Sequence, residues 1–276
     1  MTAVPEAPPS RTVMVGGRRI ACRDAGDVSL PTLVLLHGLG GNAAMWRRQY
    51  GALSDRFRVV GWDMPGYGGS DPLAGTPAAA DFVRALAGLL DALGIDRACL
   101  VGQSVAAPIA ASFARAFPDR TDAVVFAHPL FGFGALAPAA RAAAVEERTA
   151  AFLRLGPRGF AEDRGPSLLA PGASGSLIAE VVATMAGARP EGYVPAVAMM
   201  ADIDLAAEAP HVAAPVRIIA GSDDPLAPPE RCRTLAERLP GTACTVIEGA
   251  GHYAALERPE AFNSALTAAF APAESS

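Results

Sequence analysis

Apolar residues along this chain fall into two kinds of run, short unbroken blocks and longer stretches of helical period. The blocks are TVMV at 12–15, RRIACRD at 18–24, TLVLLH at 32–37, FRVVGWD at 57–63, ACLVG at 98–102, DAVVFAH at 122–128, PVRIIA at 215–220 and ACTVI at 243–247. From the third onward they are almost entirely apolar, as parallel strands covered on both faces require. Between them, Phe82, Val83, Leu86, Leu89, Leu90 and Leu93 share one face of a helix over 78–93. Phe262, Leu266 and Phe270 repeat at four-residue steps after Pro259, a residue suited to a first helical turn. This order predicts an α/β fold with a doubly wound, mostly parallel sheet of eight strands.

The alternation stops between residues 132 and 210. There, Ala-, Leu-, Met- and Arg-rich helical segments are punctuated by Pro138, Gly156, Pro166, Pro171, Gly187 and Pro190, with no strand-like run. The segment follows the sixth strand and precedes the seventh, so it leaves the sheet at its carboxyl edge, where open α/β sheets place their ligand crevice. The predicted organisation is a flexible tail at 1–10, a core of 11–131 and 211–276, and a helical lid at 132–210.

Composition narrows the chemistry. All 23 basic residues are arginine, which removes lysine Schiff bases and the phosphate-binding lysine of Gly-rich nucleotide loops. The net charge of −5 and the lack of a basic cluster argue against nucleic acid and anionic membranes as partners. Cys22, Cys99, Cys232 and Cys244 are scattered without metal-ligand spacing and read as small apolar fillers. No run is apolar over the roughly 18 residues a membrane span needs, and the expected protein is soluble and cytoplasmic. Catalysis must rest on Ser, His, Asp/Glu or Cys, and no metal or organic cofactor is implied.

One serine stands out. In Gly102-Gln103-Ser104-Val105-Ala106 a strand turns into an apolar helix with Ser104 at the point, and the small residues two before and two after it let strand and helix approach. Pro108 falls in the first helical turn, where its missing N–H has no intrahelical role. Ser174 follows no strand, and Ser70 sits in a Gly-rich turn.

A serine hydroxyl needs a base, and the chain has four histidines. His252, in Gly249-Ala250-Gly251-His252 between the last strand and the last helix, is the best placed. His37 ends an apolar strand and reads mainly as structural, His211 lies in the lid hinge, and His128 ends the strand entering the lid, where it can line the pocket. The carboxylate that orients the base is sought in Gly221-Ser222-Asp223-Asp224-Pro225, after the seventh strand, because Ala127-His128-Pro129 at the end of the sixth contains none.

With these residues in order, the chain resembles an α/β-hydrolase over nearly all of 12–271. The matching landmarks are His37-Gly38-Leu39-Gly40-Gly41, Asp63-Met64-Pro65-Gly66-Tyr67-Gly68-Gly69-Ser70, the elbow at 102–106, the Asp224 and His252 loops, and Glu257-Arg258-Pro259-Glu260. The resemblance selects Asp224 over Asp223 and implies an oxyanion hole from the backbone N–H groups of Leu39 and Val105. It further implies a pocket that His37, Gly38, Gln103, His128 and Tyr253 can help to line. Alanine at 106 and 107, where relatives commonly have glycine, is a departure. Serine at 104 disfavours the members whose nucleophile is aspartate, and Tyr253 stands where the carbon–carbon bond hydrolases often carry tryptophan.

The expected function is hydrolysis of a small or medium, largely apolar ester, thioester or lactone through an acyl-enzyme. The alternative within the class is a carbon–carbon bond or enol-lactone hydrolase of aromatic catabolism. That alternative requires one of the six lid arginines (Arg141, Arg148, Arg154, Arg158, Arg164, Arg189) to face the pocket and pair with a substrate carboxylate. Two readings come from other classes. Gly38-Leu39-Gly40-Gly41-Asn42-Ala43 with Asp63 20 residues beyond Ala43 fits a dinucleotide-binding fingerprint, which would make the protein an NAD(P)-dependent oxidoreductase. A ligand-binding protein that has kept the fold without the chemistry is the other.

Overall fold

The computed structural model describes residues 5–270. Its strands are β1 (Arg11–Val15), β2 (Arg18–Ala25), β3 (Thr32–Leu36), β4 (Arg58–Trp62), β5 (Ala98–Gln103), β6 (Thr121–Ala127), β7 (Val216–Gly221) and β8 (Cys244–Ile247). They form one sheet in the order β1-β2-β4-β3-β5-β6-β7-β8. Every block picked out by its apolar run is a strand. The β1–β2 and β2–β4 pairs are antiparallel and the other five pairs are parallel. β1, at the sheet edge, is partly or fully exposed throughout, and β2 is buried only at Ile20, Ala21 and Cys22, which is why both carry more polar residues than the parallel strands of the centre.

In β3, Leu33 and Leu35 face one side of the sheet and Val34 and Leu36 the other, and all four are fully buried. Helices α1 (Arg47–Leu53), α2 (Ala79–Ala92) and α3 (Ala106–Ala116) belong to the first half of the chain. Leu86 and Leu90 of α2 and Ile109 and Phe113 of α3 pack on the face of Val34. Tyr50 and Leu53 of α1 pack on the face of Leu33, beside Trp46, which stacks on Phe262 at 6.2 Å between ring centroids.

Helices α4 (Pro138–Arg164), α5 (Gly175–Met185), α6 (Pro190–Met199) and α7 (Leu205–Glu208) lie between β6 and β7. The punctuation seen in the sequence has local causes here. Pro138 and Pro190 occupy first helical turns, and Gly156 breaks α4 with φ of 68°, a left-handed conformation that favours glycine. The remaining helices are α8 (Pro229–Glu237), α9 (Ala254–Glu257) and α10 (Pro259–Ala269). No helix among the described residues is long and apolar enough to cross a membrane.

Residues 1–4 of the expected tail lie outside the described residues. From 5 to 10 there is no regular element, yet Arg23 donates to the Pro8 carbonyl and Ala7 packs against the core. The four cysteines are free thiols, three of them buried, as small fillers should be.

The path of the chain sets the place of chemistry. From β3 it moves outward to β4, then returns past β3 to β5 on the other side, so the carboxyl ends of β3 and β5 diverge at a topological switch point. The His37-Gly38 turn and Ser104 stand there.

Candidate active site

Ser104 has φ of 58°, left-handed and strained for a serine, between β5 and α3. Its N–H donates to the Ala127 carbonyl at 2.9 Å, and its own carbonyl accepts from Ala107 at 3.1 Å and Leu130 at 3.2 Å. A Cβ on Gly102 would lie 2.5 Å from the Ala106 carbonyl oxygen, and one on Gly38 2.7 Å from Ser104 Cβ, so both positions exclude any side chain. Alanine suffices at 106 and 107 because positive φ is required at Ser104 and not in the helix that follows.

His252 Nε2 lies 2.9 Å from Ser104 Oγ, and its Nδ1 lies 2.9 Å and 3.1 Å from Asp224 Oδ2 and Oδ1. All three side chains are buried. Asp224 Oδ1 also accepts from the Leu226 and Ala227 N–H groups at 2.8 and 3.0 Å. Burial by itself raises the Asp224 carboxyl, but His252 and His128 outweigh it and hold the group well below the usual carboxylate range. Asp223 is exposed, the solvated neighbour that its position suggested.

The loop bearing His252 is tied down from three sides. The His252 N–H donates to the Leu168 carbonyl at 2.7 Å, and Gln103 Nε2 donates to the His252 carbonyl at 3.2 Å. The third tie is Glu257, buried, whose carboxylate accepts from the N–H groups of Ala170, Gly251 and Tyr253 at 2.7, 2.9 and 3.1 Å. Glu257 thus joins the segment at 170, between β6 and β7, to the histidine loop. Replacing it with alanine strands three buried donors, and the expected loss is roughly 3 kcal/mol of unfolding free energy. Urea denaturation of Glu257→Ala checks this, and an unchanged midpoint would refute it.

Ser104, His252 and Tyr253 open onto a narrow cavity of about 40 Å³ that is otherwise lined by Leu39, Leu130, Phe160, Leu168, Met185, Leu226, Tyr193, Arg148 and Arg164. Burial pushes the Tyr193 hydroxyl up to about 12, so it is a neutral group at this wall. A larger open depression holds none of the three residues, and its Arg48 and Glu180 pair with each other.

Four residues expected at the pocket sit beside it instead. His37 is fully buried, with Nδ1 donating to the Gly38 carbonyl at 2.8 Å and Nε2 accepting from the Met64 N–H at 2.9 Å. Burial pushes its imidazole below the ordinary histidine range, so it is a neutral brace between two turns. Gly38 lies under Ser104 and donates to Gln103 Oε1 at 3.4 Å. Gln103 therefore bridges the Gly38 turn and the His252 loop. His128 turns away from the cavity and donates from Nδ1 to Asp224 Oδ2 at 2.9 Å. Only tertiary structure could show this, because His128 and Asp224 are 96 residues apart.

Asp63, the acidic residue of the dinucleotide fingerprint, is used by the fold. Its two carboxylate oxygens accept from the Ala43 and Gly69 N–H groups at 2.7 and 2.9 Å, stapling the turns after β3 and β4. His128, Asp224 and His252 are close enough to form a cluster of metal donors. Both histidine Nδ1 atoms already face the carboxylate, however, and a cation would displace those bonds.

Comparison with known proteins agrees with this geometry. Residues 33–265 match the alpha/beta hydrolase family. The chain belongs to that family, and it is a hydrolase. It is 29% identical over 251 residues to 3-oxoadipate enol-lactonase 2 of Acinetobacter baylyi, covering 88% of this chain and 90% of the relative. Among solved structures, the enol-lactonase from Burkholderia xenovorans superposes with a TM-score of 0.83 at 25% identity, covering 95% of this chain and 100% of the other. A thermophilic esterase from Thermogutta terrifontis gives 0.83 at 28% identity, with 95% and 96% coverage.

Proposed function

We propose that the protein hydrolyses a carboxylic ester, thioester or lactone through an acyl-enzyme on Ser104. The observation that carries this reading is the hydrogen-bonded line from Ser104 Oγ through His252 to Asp224 at the wall of a cavity. His252 Nε2 takes the serine proton as Oγ attacks the carbonyl, and Asp224 stabilises the imidazolium that forms. The oxyanion forms beside the Leu39 and Val105 N–H groups, neither of which has an acceptor in the fold among the described residues. His252 then protonates the leaving group, removes a proton from water, and the acyl-enzyme is released as the acid. No step requires a metal or organic cofactor.

The test is labelling of wild type with a fluorophosphonate, with the adduct mapped by peptide mass spectrometry, beside turnover of p-nitrophenyl acetate, butyrate and octanoate. An adduct on Ser104 and multiple turnover are expected. Labelling without turnover would favour a different substrate, and neither labelling nor turnover from folded protein would favour a binding role.

A second feature of the cavity favours a substrate that carries a carboxylate. Of the six lid arginines, Arg141 pairs with Asp202, Arg158 with Glu162, and Arg189 donates to the Gly66 and Ser70 carbonyls, while Arg154 is exposed. Arg148 and Arg164 remain, and both line the cavity with no carboxylate partner among the described residues. The name of the A. baylyi relative, a lactonase acting on the enol-lactone of an oxo diacid, agrees with that chemistry. Charge-assisted bonds of this kind favour the mono-p-nitrophenyl ester of adipic acid over p-nitrophenyl hexanoate by about tenfold or more in kcat/KM. That ratio should fall to near one when Arg148 and Arg164 are both changed to glutamine. A wild-type preference for the hexanoate would leave the apolar reading standing.

A further inference from the structure

His128 occupies a conformation that serves no helix or strand. Its φ is 50°, a left-handed value unusual for a residue with a ring and doubly so before a proline, whose own ring narrows the choices of the preceding residue. The backbone is held there by the His128 N–H, which donates to the Ile219 carbonyl of β7 at 2.7 Å. The result is that the ring points along the ends of the strands to Asp224, edge-on to His252 with 5.7 Å between ring centroids. Asp224 Oδ2 thus receives two imidazole N–H groups at the same 2.9 Å distance.

We propose that His128 is a positioning residue for the Ser104–His252 pair, fixing the Asp224 carboxylate in the rotamer that meets His252 and drawing off part of its negative charge. This rests on the reading of Asp224 as the acid of the reaction. Three further groups bond Asp224, those of Leu226, Ala227 and His252, but the first two hold only Oδ1, and without His128 the other oxygen answers to His252 alone. The donor must be a neutral imidazole. His128 Nε2 is buried without a hydrogen-bond partner among the described residues, so a second proton there would point at nothing. Burial accordingly pushes the His128 imidazole below the ordinary histidine range, against the opposing pull of Asp224, with His252 adding to the lowering. Asp224, His252 and, at longer range, Glu257 are the charged or titratable groups that act on it.

Charge drawn from Asp224 by one histidine is not available to the other. In His128→Phe, which keeps a ring and removes the donor, Asp224 stabilises the His252 imidazolium more strongly. The acid limb of kcat/KM against pH is expected to move upward by about half to one unit. Looser placement of the carboxylate lowers kcat by about tenfold while KM changes little. His128→Asn, whose side chain tolerates positive φ and offers an N–H, should bring the limb back toward its wild-type position. A side chain that only filled space would change stability and leave the limb where it was.

A measurement on wild type does not depend on the variants folding. Nitrogen-15 NMR of labelled histidines should find His128 as the Nδ1–H tautomer, its proton slow to exchange and its shifts unchanged from pH 8 to 5. A His128 protonated on Nε2, or titrating like an exposed histidine, overturns the proposal. So does an unmoved acid limb in a folded, active His128→Phe. Absence of a fluorophosphonate adduct on Ser104 would instead remove the reaction that His128 is said to serve, so the two failures are distinguishable.

Discussion

Ser104→Ala abolishes turnover. The expected fall in kcat is about 10^5- to 10^6-fold, the scale at which a serine hydrolase loses its nucleophile, leaving the residual rate supplied by binding and oxyanion contacts. The change deletes one oxygen at a position where φ is already 58°, and alanine is no worse suited to that backbone than serine. The only side-chain hydrogen bond lost among the described residues is the one with His252, so the fold survives and circular dichroism and the melting temperature stay close to wild type. Fluorophosphonate labelling disappears with activity. Turnover of the same esters within tenfold of wild type would place the nucleophile elsewhere, and no other serine among the described residues has this setting. Ser70 donates to the Asp63 carbonyl and accepts from Ala21, and Ser174 caps α5.

Asp224→Asn should cost about 10^4-fold in kcat, more than the loss of one hydrogen bond accounts for. The Leu226 and Ala227 N–H groups require an oxygen at Oδ1, so the amide nitrogen must take the place of Oδ2. There it meets Nδ1 of both His128 and His252, and a donor faces two donors. Both rings relieve the clash by moving their proton to Nε2. His252 then presents N–H to Ser104 and can no longer accept its proton, while His128 places a proton on an atom with no partner. The variant is therefore inactive at neutral pH and also less stable, by roughly 1–3 kcal/mol for the stranded donor. Single-turnover kinetics with a p-nitrophenyl ester separates the slow acylation from loss of binding. A rate within tenfold of wild type would show that Asp224 does not govern the tautomer of His252.

The two variants probe features of unequal legibility. Ser104 announced itself by local pattern alone, a strand, a small residue at each flank and an apolar helix, all within about a dozen residues. His252 and the 221–228 loop were legible because each follows a strand, and parallel strands deliver their carboxyl ends to one edge. Between Asp223 and Asp224 it is the resemblance to the α/β-hydrolases that selects Asp224, and the geometry brings Asp224 to the histidine.

Other residues could not be read this way. Glu257 was noticed as part of a recurring pattern, but its three N–H donors come from residues 170, 251 and 253, and no spacing reveals a bond to residue 170. Gln103 and His128 were candidates for the pocket wall, as was His37 beside its main reading as a structural residue, which its buried brace between two turns agrees with. Position along a strand says that a side chain is near the crevice, but the backbone torsions and the partners on other strands decide which way it turns. The arginines of the lid posed the same difficulty in sharper form. Gly156 breaks α4 between Arg148 and Arg164, so no single helical periodicity relates them, and they reach one cavity only in the folded chain.

Local pattern was therefore enough to derive the doubly wound sheet, the order of its elements and the helical segment between β6 and β7, and to nominate Ser104 and His252 as candidates. These follow from periodicity, from small residues where backbones cross, and from the rule that parallel strands present their ends together. How Asp224 is shared, that Asp63 staples two turns, and that Arg148 and Arg164 line the cavity beside Ser104 without a carboxylate partner among the described residues emerge only from the folded chain. Those features depend on hydrogen bonds and packing between residues remote in the chain, whose relative orientation is set by the whole fold and leaves no local pattern.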